Sequence, residues 1–125
     1  METYTAFDEA EIRDAERRLV AALESPEPTA WVYEYTEDAV FDGGGEHAVQ
    51  GREALLEMAT AMQPLSSVTL RALRTEGSGD HAAVWFEGSW VSGTPTDNDL
   101  KVEVRGMILW RRGDAGWRVA MEHIG

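Results

Sequence analysis

The second half of this chain is written in strand material and the first half in helix, and that segregation limits the folds open to it. Four long segments, about 66–76, 81–92, 99–112 and 116–124, are rich in β-branched and aromatic residues. Gly77-Ser78-Gly79-Asp80 and Arg112-Gly113-Asp114-Ala115-Gly116 separate two of the pairs with the compositions of tight hairpins. Upstream, residues 7–24 set Ile12, Ala15, Leu19, Ala22 and Leu23 at helical spacing, with charges on the opposite face. Ser25-Pro26-Glu27-Pro28-Thr29 interrupts that helix, because proline removes a donor and restricts the residue before it. A second helix over 29–36 carries Trp31, Val32 and Tyr35. Ala39-Val40-Phe41-Asp42 then reads as a short strand entering the turn Gly43-Gly44-Gly45, with His47-Ala48-Val49 as its hairpin partner. A third helix opens at Gly51-Arg52-Glu53 and ends near Pro64. Helices first and a meander afterwards predict an α+β fold with three N-terminal helices packed on one face of a strongly curved antiparallel sheet.

A chain of 125 residues, 43% hydrophobic, is long enough for one core and too short for two, so a single domain over 1–125 is expected. Cysteine is absent, which excludes disulfides, thiolate metal sites and a cysteine nucleophile. No apolar run approaches the ~20 residues of a membrane span, and Met1-Glu2-Thr3-Tyr4-Thr5-Ala6-Phe7-Asp8 lacks a secretion signal, so a cytoplasmic protein is expected. The net charge of −12 repels polyanions and argues against nucleic acid and anionic membranes. His47, His81 and His123 show no metal-ligand spacing. Ser89 and Ser92 lack an elbow motif, and the glycine turn does not match a phosphate cradle.

The order of elements resembles the nuclear transport factor 2-like superfamily, in its SnoaL-like and ketosteroid isomerase-like branch. The likeness is densest in Arg18-Leu19-Val20-Ala21-Ala22-Leu23, in Tyr35 through Asp42, and in Val102 through Trp110 followed by Gly116-Trp117-Arg118-Val119 and His123. It implies a cone-shaped α+β barrel with a deep pocket for a small apolar or aromatic ligand and no cofactor. Because helices can cover only one face of such a sheet, a homodimer through its outer face is expected. Val84, Met107, Leu109 and one tryptophan are candidates for that face.

In this branch an aspartate at the end of the first strand acts as base, and Asp42 falls there. A turn aspartate capping Gly44 or Gly45 is the other reading. Leu19 and Gly106 fall where the isomerases carry a tyrosine and a carboxyl kept protonated by its apolar site. Neither can donate a side-chain hydrogen bond, so steroid isomerisation by that route is not expected. His123 shares its strand phase with Trp117, Val119 and Met121 and is a candidate acid/base. If the register slips by one, Glu122 faces the pocket instead.

Trp31, Tyr35, Trp85, Trp90, Met58 and Arg105 are expected to line the ligand pocket, with Tyr33 or Tyr35 a candidate hydroxyl donor. Glu103 and Arg105 lie two apart on one strand and share a face. They fit either an epoxide hydrolase-like arginine between acids, with Glu122 as the second acid, or a solvated ion-pair face. The function these readings imply is cofactor-independent acid/base chemistry on a small, largely apolar molecule, with Asp42, His123 and Glu122 as catalytic candidates. The alternatives are a non-catalytic ligand-binding or assembly module of the same fold, and epoxide hydrolase-like water activation.

Overall fold

The computed structural model of the chain describes residues 8–43, 48–62, 65–92 and 100–125. Helix α1 spans Glu9–Leu23, α2 Pro28–Tyr33 and α3 Arg52–Met62. The strands are β1 Tyr35–Asp42, β2 Val49–Gln50, β3 Leu65–Ser78, β4 His81–Ser92, β5 Leu100–Gly113 and β6 Gly116–Ile124. The start of α1 follows from Asp8, whose carboxylate accepts from the Ala10 amide at 2.9 Å, with Glu9 and Glu11 placed favourably in the first turn. Its buried stripe of Ile12, Ala15, Leu19 and Ala22 is the one the spacing predicts, with Glu16 as an added polar member. Pro28 opens α2, where its missing donor costs nothing.

The strands form one six-stranded sheet in the order β2-β1-β6-β5-β4-β3. The β3–β6 meander is antiparallel throughout, as expected. The exception lies at the other side, where β1 pairs with β6 in parallel, Phe41 against Glu122 and Asp42 against His123. Tyr35 and Thr36, expected in the second helix, open this strand instead. The Val119 amide bonds the Glu34 carbonyl at 2.8 Å, drawing the chain into the sheet directly after α2.

Curvature comes from irregular register in β3, once between Ser66 and Thr69 and again between Ala72 and Arg74, and from one shift between β5 and β6. Glycine serves the bend at Gly106, where a Cβ would lie 2.0 Å from the His123 carbonyl oxygen, so any side chain there would collide with β6. The helices cover one face of the sheet. Trp110, Ile108, Val84 and Val119 from the strands meet Ile12, Leu19 and Leu55 from the helices in a fully buried core. Val84, a candidate for an outer interface, is therefore interior, with 0% of its surface exposed. Among the described residues no helix is long and apolar enough to cross a membrane.

Candidate functional site

The register shift in β6 decides which acid faces inward. Trp117 and Val119 are buried on the helix side, with Val119 opposite Trp110. The next pair is Leu109 with Met121, which leaves Ala120 as an extra residue in the strand. Beyond that bulge the alternation inverts. Glu122 turns into the core with 8% exposure, opposite Ile108, and His123 turns outward. The regular period-two phase that puts His123 with Trp117 and Val119 fails at this one residue.

Inside, Glu122 meets Tyr35. The Tyr35 hydroxyl donates to Glu122 Oε1 at 2.5 Å, and Trp31 Nε1 donates to the same hydroxyl at 3.3 Å. Tyr35 and Trp31 are 1% and 3% exposed. Burial raises the Glu122 pKa from 4.5 to about 7, although the bond from Tyr35 pulls it down. Tyr35 is pushed well above its ordinary value, first by burial and then by the Glu122 charge. The arrangement is a carboxyl that changes charge near neutral pH, held to a phenol that stays protonated and backed by an indole donor. Such a group can give or take a proton in an apolar setting, which is what general acid/base chemistry asks of it.

On the opposite face of the same two strands, Asp42 Oδ2 lies 3.2 Å from His123 Nδ1, with both side chains partly open to solvent. The structure thus separates the three catalytic candidates: Glu122 is inside, and Asp42 and His123 are paired outside. Trp31 and Tyr35 are brought to Glu122. Met58 and Trp90 pack, half-buried, against the same core. Trp85 is a correction: it faces outward and is 38% exposed, with the Arg74 guanidinium 5.5 Å from its ring.

Arg105 also faces outward, its side chain 80% exposed and 3.8 Å from Glu87, while Glu103 pairs with Lys101 at 3.6 Å. Arg105 and Glu122 therefore sit on opposite faces of the sheet, and Arg105 does not stand between Glu103 and Glu122 in the epoxide hydrolase manner. Glu103 and Arg105 instead belong to an outer groove of about 950 Å³ that also includes Thr69, Arg71, Glu87 and Ser89. Tyr33 is exposed, and Leu19 is buried without any polar role. His47 lies outside the described residues. Among the described residues no group of three histidine or acid side chains is placed to hold a metal ion.

The Tyr35–Glu122 contact is the feature that sequence reasoning missed. It joins residues 87 apart across a parallel pairing, and no local pattern encodes such a contact.

Three helices on one face of a curved sheet, with a buried acid–phenol pair between them, define an α+β cone of the cystatin-like, NTF2-like class. The chain belongs to the family described as the SnoaL-like domain, whose pattern matches residues 17–120. Among solved structures, it is similar to a ketosteroid isomerase-like protein from Erwinia carotovora atroseptica SCRI1043. That match has a TM-score of 0.74 and 21% identity, covering 94% of this chain and 96% of that one. It is similar to a candidate dehydratase of the NTF2-like family from Streptomyces avermitilis, with a TM-score of 0.77, 16% identity and 94% of each chain covered. A Catenulispora acidiphila structure in complex with S-DNPA matches with a TM-score of 0.78 and 19% identity, over 93% of this chain and 90% of that one. At these identities the likeness concerns the fold. No functionally curated protein matches the chain.

Proposed function

We propose that the chain is a cofactor-independent acid/base enzyme acting on a small, largely apolar molecule, of the isomerase, cyclase or dehydratase type, with Glu122 as the group that moves the proton. The observation that carries this reading is the Tyr35–Glu122 hydrogen bond within the core, with the carboxyl raised to about 7. An ordinary structural carboxylate is kept ionised by cations or by several donors, whereas this one is poised between its two states at working pH. Tyr35 then serves as a fixed donor, steadying the carboxylate before it takes a proton from carbon and after it has passed that proton on. The family, whose fold neighbours include isomerase-like and dehydratase-like proteins, supports this class of chemistry.

The non-catalytic ligand-binding reading keeps one specific observation in its favour. Trp31, Tyr35 and Glu122 satisfy one another's hydrogen bonds, as a purely structural network would. Exchange of α-protons of small apolar ketones into deuterated water, followed by NMR, separates the two without knowledge of the natural substrate. An enzyme accelerates exchange with a midpoint near pH 7, and Glu122→Gln loses that acceleration by about 10²–10⁴-fold. Saturable ketone binding with no acceleration in the unsubstituted protein assigns the binding module instead.

A further inference from the structure

The sheet ends at β3, and one stretch of that strand is left open beside α1. A groove of about 520 Å³ runs there, lined by Arg13, Glu16, Arg17 and Val20 from α1 and by the consecutive residues Val68 to Ala72 of β3. The α1 residues follow i, i+3, i+4, i+7 spacing, a single face of the helix. On β3 every residue lines the groove rather than alternate ones, so the wall is the strand's backbone edge as much as its side chains.

The direction of that edge can be read from two contacts. The Thr69 carbonyl oxygen points toward β4, where a Cβ on Gly88 would lie 2.8 Å from it. The Val68 amide points the other way and bonds Glu24 Oε2 at 3.3 Å. An antiparallel strand turns its amides alternately to either side, and the register is unbroken from Thr69 to Ala72. Leu70 and Ala72 therefore offer their amides and carbonyls to the groove, on an edge that closes at Val68.

The charge in the groove opposes that of the molecule. Arg13 and Arg17 line it from α1, and Arg71 flanks the same strand edge from the outer face of the sheet, in a chain of net charge −12. Arg17 and Arg71 are 71% and 73% exposed, and their present partners are the solvent-facing Asp14 and the half-buried Glu87. Exposed pairs of this kind contribute little and rearrange easily. Arg13 is held more firmly, by Glu16 at 2.9 Å and by Thr75. Even so, Arg13 Nε is a buried donor without a hydrogen-bond partner. A buried donor left unpaired in a groove is costly unless something reaches it.

We propose that the open edge of β3 at Leu70 and Ala72 docks an extended acidic peptide segment of a partner protein, which adds to the sheet as a further strand. The main chain of such a segment pairs with Leu70 and Ala72 and brings an acceptor past Arg13. Its acidic side chains meet Arg17 and Arg71. Main-chain pairing supplies the affinity and the arginines supply the selectivity, as in other strand additions to an open edge.

The test uses the whole chain, isotopically labelled, and a short glutamate–valine peptide with glutamates at adjacent positions, so that both faces of the added strand carry acid. NMR shift changes are expected at the Val68–Ala72 amides and along Arg13–Val20, weakening as salt is added. A peptide with lysine in place of glutamate is expected to bind at least about tenfold more weakly. A glutamate–valine peptide N-methylated along its length, which cannot pair through its backbone, is expected not to bind. Because substitution of the β3 core side chains risks unfolding, the protein variant is the surface pair Arg17→Glu with Arg71→Glu, again with a loss of at least about tenfold. The proposal is overturned by no binding up to about 1 mM, by equal binding of the lysine or N-methylated peptides, or by shifts confined to another surface. It is also overturned if the chain pairs with a second copy of itself through β3 and leaves no edge free.

Discussion

At the scale of single residues, the burial of Glu122 ties stability to pH. Its carboxyl is neutral in both folded and unfolded chains below pH 4.5. Between 4.5 and about 7 the unfolded chain gives up its proton while the folded chain keeps it. The unfolded state then binds fewer protons, so stability falls as pH rises through that window and stays reduced above it. The size of the effect is about 3 kcal/mol at most. Glu122→Gln keeps an acceptor for Tyr35 but removes the titration. Its stability in denaturant titrations is expected to match that of the unsubstituted protein near pH 5 and to exceed it near pH 8. Parallel pH profiles for the two proteins would show that the carboxyl is not held in the apolar setting described. The candidate residues were legible as types: Asp42, Glu122 and His123 are all at the ends of β1 and β6. Which of them faces the core was not legible, because Ala120 inverts the phase and nothing in Val119-Ala120-Met121 announces a bulge.

At the scale of elements, the long strands and the hairpins between them could be read because alternation and glycine turns are local signals. The junction of α2 and β1 could not. Trp31-Val32-Tyr33-Glu34-Tyr35 carries neither proline nor glycine, and it changes from helix to strand only because Tyr35 and Phe41 find partners on β6, far along the chain. The bend of the sheet shows the same division. Gly106 stood out as the absence of an acid, and its physical role is to let the β6 backbone approach β5. A methyl group there would meet the His123 carbonyl at 2.0 Å and the Phe86 ring at 3.1 Å. Neither strand can yield without disturbing the bulge that orients Glu122. Gly106→Ala is therefore expected to cost about 3 kcal/mol or more, the upper range for overpacking, because the obstacle is backbone. Urea unfolding measures it, and a loss below about 1 kcal/mol would mean that the two strands separate easily at this point.

At the scale of the whole molecule, the helices cover one face of the sheet and leave the other to be explained. That outer face divides in two. One half is the charged groove around Arg71, Glu87 and Arg105. The other half gathers Trp85 opposite Met107, and Ala83 opposite Leu109, which in turn opposes Met121. Trp85 remains 38% exposed, and Leu73 at the neighbouring bulge is 49% exposed. Apolar side chains this close together on a sheet face are the usual centre of an interface between like subunits, with polar residues at its rim. A homodimer joined through this half is expected, burying on the order of 800 Å² per subunit. Because each chain carries −12, the subunits repel at long range, and moderate salt is expected to tighten the dimer rather than loosen it. Light scattering at micromolar concentration tests the assembly. Trp85→Asp, which places a charge at the centre of the patch without touching the core, is expected to give monomers that unfold near the temperature of the unsubstituted protein. Monomers in the unsubstituted protein at every salt concentration would remove the dimer and leave Trp85 as a residue covered only by the Arg74 guanidinium.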